Sequence, residues 1–235
     1  LPVEHDVRDP PGERGDRSGS NAATPTNPTC RQYRRRRLMR VAVILAHPNP
    51  DSFAHELARR AAVGLVAGGH DVELVDLHAL GFRAAMSTEE REAYHSESPI
   101  LDPIVQEHAD LVRSADTLVF VYPTWWSGLP AILKGWLERV LVPGVGFRFD
   151  ERSGKIRPGL TNVRRLIGIS TYGSPRWYVR AVNDNGRRTL LRALRLACGR
   201  RTSPRWLGMY AIDTTTADER AEFAAHVERS MSELR

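Results

Sequence analysis

Residues 40–69 read RVAVILAHPNPDSFAHELARRAAVGLVAGG, and the pattern in this stretch decides the fold. Val41 to Ala46 is apolar at every position, as expected of a strand covered on both faces. His47-Pro48 ends it. From Ser52 to Ala67 the apolar residues Phe53, Leu57, Ala61 and Leu65 recur at helical spacing, and Gly68-Gly69 gives a C-cap signal. A doubly covered strand feeding an amphipathic helix is the repeating unit of a parallel sheet.

The unit recurs along the chain. Asp71–Leu77 alternates as a second strand. After an irregular stretch holding Gly81 and Pro99, the pattern predicts a helix over Ile100–Arg113, a strand over Thr117–Tyr122 and a helix over Pro130–Leu141. A strand over Val163–Ser170, a helix over roughly Gly186–Cys198, a strand over Trp206–Ile212 and a helix over Ala217–Glu233 complete five β-then-α units, with no hairpin-rich block. The expected class is α/β: a doubly wound, five-stranded parallel sheet with right-handed crossovers and strand order 2-1-3-4-5. Its ligand crevice lies beyond the carboxyl ends of the strands, near the first and third.

With 235 residues, 41% hydrophobic and 26% charged, the chain suffices for one such domain with a sizeable core and a tail. Residues 1–38 are rich in Arg, Pro, Gly, Ser, Asn and Thr and lack apolar periodicity. They read as a disordered extension, which leaves 39–235 as the folded domain. Met39 is a second candidate for the natural start. The Arg31–Arg37 run reads either as a nucleic-acid or anionic-membrane contact or as a solvated tail, and the tail is the favoured reading because unaccompanied basic runs are weak motifs. The net charge of +6 divides between eight Arg against five Asp/Glu in 1–38 and 26 basic against 23 acidic residues beyond. A folded part so balanced is not expected to bind nucleic acid. Peripheral membrane contact stays open, but no apolar run of about 18 residues provides a span. Val41–Ala46 is also too short for a signal peptide, so a cytoplasmic location is expected. Cys30 and Cys198 suggest neither a disulfide nor a metal site, and no histidine spacing supports a metal.

Three strand-end loops carry unusual residues. In Ala46–Phe53, the helix start offers unpaired N–H groups to a phosphate, with His47 and Ser52 as further contacts; a rigid two-proline turn capped by Asp51 or Ser52 explains it as well. In Tyr122–Pro130, the adjacent Trp125 and Trp126 are costly to expose. They suit stacking against a flat aromatic ring, or one packs the core and the other an interface. In Ser170–Tyr178, small residues let the backbone approach a ligand that Tyr178 could cover, and the segment also reads as a Gly-Ser-Pro turn.

His47…Ser52-Phe53, the stretch Pro123-Thr124-Trp125-Trp126-Ser127-Gly128-Leu129-Pro130 continuing to Val140, and Ser170-Thr171-Tyr172-Gly173 together resemble the NAD(P)H:quinone oxidoreductases. That family also includes modulator of drug activity B and the potassium-efflux ancillary flavoproteins. The resemblance covers about residues 40–234 and implies a flavodoxin-like fold. It implies that His47, Ser52 and Phe53 hold the flavin phosphate and ribityl region. Pro123, Thr124, Trp125, Trp126 and Ser127 then run along the isoalloxazine edge, Thr171 and Gly173 reach the pyrimidine end, and Tyr178 is the catalytic tyrosine facing the acceptor. Trp125 stands where the family has Gln. Asp184 replaces a histidine that some members place beyond the tyrosine, which puts a Tyr–His relay in doubt. Tyr172 replaces a glycine and is expected to narrow the acceptor pocket.

The expected function is flavin-dependent, ping-pong transfer of hydride from NADH or NADPH to a quinone or similar small acceptor, with FMN or FAD as cofactor. A homodimer is expected from the resemblance. The alternative is a flavin-binding regulatory subunit of a membrane transporter.

Overall fold

The computed structural model describes residues 38–235. The proposed extension, Leu38 apart, lies outside them, as do Cys30 and the Arg31–Arg37 run.

Five parallel strands form the central sheet: β1 (Arg40–Leu45), β2 (Asp71–Asp76), β3 (Thr117–Pro123), β6 (Arg165–Thr171) and β7 (Ser203–Met209). Their spatial order is β2-β1-β3-β6-β7, which is the expected 2-1-3-4-5. The register sets Leu45 beside Val121, Val121 beside Ile169 and Ile169 beside Leu207, so the carboxyl ends of β1, β3, β6 and β7 open onto one edge. The helices are α1 (Phe53–Ala67), α2 (Thr88–Ala93), α3 (Pro103–Ser114), α4 (Ala131–Val140), α5 (Arg176–Ala181), α6 (Asn185–Arg188), α7 (Arg195–Cys198) and α8 (Ala217–Ser232). A π-helical segment, Thr189–Leu194, joins α6 to α7.

Alternation along the buried strands divides the apolar residues between two cores. Val41, Val43, Leu45, Val119, Val121 and Ile169 face α1 and α8. Ala42, Ile44, Leu118, Phe120 and Tyr122 face α3, α4 and the 185–198 helical stretch. The second core is bordered by a buried ionic cluster. Arg139 of α4 is 1% exposed and binds Glu90 of α2 and, at 2.8 Å, Asp102, the N-cap of α3. That guanidinium holds the Asp102 carboxyl below its usual range.

The structure departs from the sequence expectation at four places, the first being α2, a six-residue helix within the stretch read as irregular. An antiparallel hairpin, β4 (Phe147–Phe149) with β5 (Ile156–Pro158), lies between α4 and β6. Its strands have three residues each, too short to show a period. The last strand starts at Ser203 and ends at Met209, where Trp206–Ile212 was expected. β7 is an edge strand, so Pro204 and Arg205 are tolerated there, and Ala211 turns the chain away with a positive φ of 54°. Trp206 crosses the neighbouring β6 at Gly168, where a Cβ would meet the indole at 2.1 Å. Finally, the third loop turns helical early, placing Tyr178 on α5.

Candidate functional site

The loop after β1 begins with Ala46, whose N–H donates to the Val121 carbonyl at 3.0 Å. Ser52 is the N-cap of α1, and its Oγ accepts from the His55 N–H. The first two N–H groups of the helix, those of Phe53 and Ala54, have no acceptor among the described residues. His47 stands beside this helix start. Burial lowers its pKa, the hydrogen bond with Asn49 works against this, and the neighbouring His55 and His78 add to the lowering. The ring is therefore neutral at pH 7. Its Nδ1 lies 3.0 Å from the Asn49 nitrogen and 3.2 Å from the Asn49 carbonyl oxygen; in the tautomer that accepts from the N–H, the proton sits on Nε2 and can be donated to an anion.

Sequence reasoning missed a neighbouring chain of groups. His55 Nδ1 lies 3.0 Å from Ser52 Oγ, and its Nε2 lies 2.9 Å from Asp76 Oδ2 at the end of β2. Asp76 and His55 belong to different β–α units, so no local spacing announces the pair.

The loop after β3 is fastened to β6: Thr124 N–H donates to the Thr171 carbonyl at 2.8 Å, and Thr124 Oγ1 lies 2.9 Å from Ser170 Oγ. Pro123 is buried and pairs in register with Thr171. The chain then makes a tight turn closed by Gly128 N–H on the Trp125 carbonyl. Trp126 and Ser127 at its apex both have positive φ, 49° and 57°. Neither N–H has a partner among the described residues. Both tryptophans are exposed, Trp126 fully, so neither belongs to the core. The Trp125 ring lies 5.8 Å from that of His47, which brings the first two loops together. The start of α6 backs this turn. Asn185 N–H donates to the Ser127 carbonyl at 3.1 Å, and a Cβ on Gly186 would sit 3.2 Å from the Gly128 backbone and 3.0 Å from the Tyr122 hydroxyl. That hydroxyl is buried beside Ser170, without a well-formed hydrogen bond among the described residues.

The third segment corrects one expectation. Tyr172 does not narrow a pocket: it is 1% exposed, stacks on Tyr210 at 4.5 Å and 10°, and donates to Asp184 Oδ1 at 3.0 Å. Burial, with the Asp184 charge adding to it, raises its pKa well above the ordinary value. Strand alternation causes the inward turn, since Thr171 and Tyr172 continue β6 beside Met209. Gly173 is exposed at the sheet edge. Tyr178, on α5, is also exposed, with its ring 5.9 Å from Trp177. Phe53 points elsewhere, packing against the core beneath α1 and α8.

The structure thus joins His47, Trp125, Thr124 and Thr171 through direct contacts. It sets Ser52, Pro123, Trp126, Ser127 and Gly173 in the same strand-end loops, while Tyr178 lies on the adjoining α5. Helix-start N–H groups beside a neutral histidine suit a phosphate. Turn N–H groups beside exposed indoles suit the polar edge and the face of a flat ring. Phe53 is the exception, fitting by its N–H rather than its side chain. Among the described residues no group of three or more His, Cys, Asp or Glu is arranged to hold a metal ion.

The profile of a family described as flavodoxin-like fold matches residues 39–234. An uncharacterized NAD(P)H oxidoreductase of Haemophilus influenzae is 35% identical over 133 residues, 56% of this chain and 63% of that protein. Rat NAD(P)H dehydrogenase [quinone] 1 is 30% identical over 154 residues, 59% of this chain and 56% of that protein. The chain thus matches less than two thirds of the length of either relative. An NAD(P)H:quinone oxidoreductase structure from Methanothermobacter marburgensis superposes with a TM-score of 0.70 at 26% identity, covering 85% of this chain and all of that one.

Proposed function

The chain belongs to the flavodoxin-like fold family, and from that premise we propose that it is a flavin-dependent NAD(P)H oxidoreductase acting on quinone-like acceptors. The observation that carries this reading is the meeting of two unlike features 5.8 Å apart. One is the phosphate-competent start of α1 with its neutral His47; the other is an exposed indole beside a turn whose N–H groups have no partner among the described residues. The names of the relatives lend it support and do not favour the transporter-subunit alternative.

A flavin held there would supply two-electron hydride exchange between NADH or NADPH and a quinone-like acceptor. The residues of this chain serve that chemistry by position. His47 Nε2–H and the N–H groups of Phe53 and Ala54 bind the phosphate. Trp125 and Trp126 flank the ring and exclude water, and the N–H groups of Trp126 and Ser127 donate to its polar edge. The Tyr178 hydroxyl holds a proton toward the reduced ring or the acceptor. Trp126, fully exposed, and Trp177, 72% exposed, offer apolar surface for a homodimer, with the site near the interface. A cytoplasmic setting, where reduced pyridine nucleotides are supplied, goes with this activity.

Purified protein is expected to be yellow or to turn yellow with FMN or FAD, and weighing the released flavin identifies which. Steady-state rates with NADPH and a benzoquinone should give the parallel double-reciprocal lines of ping-pong exchange. A colourless protein that binds neither flavin in a fluorescence titration overturns the reading.

A further inference from the structure

Between α5 and the helical stretch that follows it lies a cleft of about 460 Å³ lined by Arg176, Arg180, Arg187, Arg188, Arg192 and Arg195. Arg176, Val179, Arg180 and Asn183 line it at i, i+3, i+4 and i+7, which is one face of the helical turn; Arg188, Leu191, Arg192 and Arg195, along the stretch from α6 through the π-helical segment to α7, line it as well. Asp184 is the one carboxylate in the lining.

Among the described residues, arginines without a carboxylate partner occur elsewhere, Arg148 and Arg229 included, but these six are gathered in one cleft. Arg40, Arg59, Arg60, Arg83, Arg113, Arg139 and Arg157 all pair with carboxylates. Among the described residues, none of the six in the cleft does. Arg176 lies over the Tyr210 ring at 5.8 Å, Arg187 lies over Trp206 at 5.8 Å, and Arg195 donates to the Thr202 carbonyl at 3.0 Å. Aromatic faces and a carbonyl orient guanidinium groups without neutralising them. Six like charges so gathered repel one another, and only a polyanion relieves all of them at once.

We propose that this cleft binds a small polyphosphorylated anion. The volume falls within the range of small-molecule sites, roughly 300–1,000 Å³. The guanidinium fork matches the oxygens of a phosphate in paired hydrogen bonds, and a cleft lined by several such forks matches a chain of phosphates. Two sources share this chemistry: the phosphates of NADPH, with its 2′-phosphate, and a separate nucleoside polyphosphate.

The test titrates the full chain with inorganic tripolyphosphate by calorimetry, in wild type and in an Arg188→Ala/Arg192→Ala variant checked for folding by circular dichroism. Both side chains are exposed. Saturable one-site binding is expected, weakened about tenfold or more in the variant and weakened by added salt. Arg192→Lys, which keeps the charge and loses the fork, should fall between and serves if the double variant fails to fold. Absence of saturable binding to wild type, or equal binding to the variants, overturns the proposal. Two kinetic outcomes assign the source, and each supports the site. Tripolyphosphate competing with NADPH but not NADH marks the donor's 2′-phosphate as occupant; binding with no effect on either KM marks a separate polyphosphate. The calorimetry needs no turnover, so it stands whether or not the flavin reading does.

Discussion

The Tyr172 hydroxyl donates to Asp184 Oδ1 at 3.0 Å, tying the end of β6 to the left-handed residue that begins α6. Asp184 is thereby engaged within the fold by a residue other than Tyr178. Tyr172→Phe should lower unfolding stability by about 1–2 kcal/mol, because a partly buried carboxylate loses its donor. Asp184→Asn keeps an acceptor oxygen and should cost less. Thermal unfolding compares the two. Turnover abolished in Asp184→Asn at wild-type stability would place this side chain in the chemistry instead.

Tyr178 is free to act on a ligand. Tyr178→Phe should lower kcat by about tenfold or more while flavin affinity changes little. Rapid mixing resolves the reductive and oxidative halves, and equal losses in kcat and flavin affinity would count against the role assigned.

His47 predicts a direction with pH. Burial lowers its pKa in the free protein, whereas a phosphate alongside raises it. Protonation therefore accompanies binding, and FMN or FAD affinity should tighten as pH falls from about 7.5 toward 5.5. His47→Ala should bind flavin more weakly throughout, with a flatter profile. A steeper profile in the variant would reverse the assignment.

His108 predicts the opposite trend for stability. Burial lowers its pKa, with the Glu107 and Asp102 charges opposing, and its Nδ1 accepts from Trp136 Nε1 at 3.1 Å. The unfolded chain therefore takes up the proton first. The contribution of this group is full above the unfolded value of 6.5 and declines as pH falls through it, levelling below the depressed folded value. Urea midpoints should drop between pH 7.5 and 5.5, and His108→Gln should remove part of that slope.

Arg139→Met should destabilise the fold by about 3 kcal/mol, since it removes the buried partner of Glu90 and leaves that carboxylate only the exposed Arg83, at 3.6 Å, as a counter-charge. Replacing Glu90 with Gln in the same chain should recover part of the loss. No recovery would mean that the ion pair is not the source.

The central architecture was readable because β1 and β3 are covered on both faces, so Val41–Leu45 and Leu118–Tyr122 are apolar without interruption. Edge strands carry no such mark, which is why the Ser203-Pro204-Arg205 start of β7 was missed. The site was readable wherever one loop holds the chemistry, as with Trp125 and Trp126. It was not readable where partners are far apart in the chain. The inward turn of Tyr172 depends on Tyr210 and Asp184, and the His55–Asp76 pair spans 21 residues. The arginines of the cleft are likewise scattered over 20 positions, on α5, α6, the π-helical segment and α7.

The turn at Trp126 and Ser127 puts the most exposed indole of the fold on left-handed backbone, a conformation costing about 1–3 kcal/mol at each non-glycine position. Glycine at either site would relax the chain and remove a wall of the pocket or its support. Selection for heat resistance and selection for turnover therefore pull these two positions in opposite directions. Thermostable descendants of this sequence should be slower catalysts wherever the gain was made at residues 126 and 127.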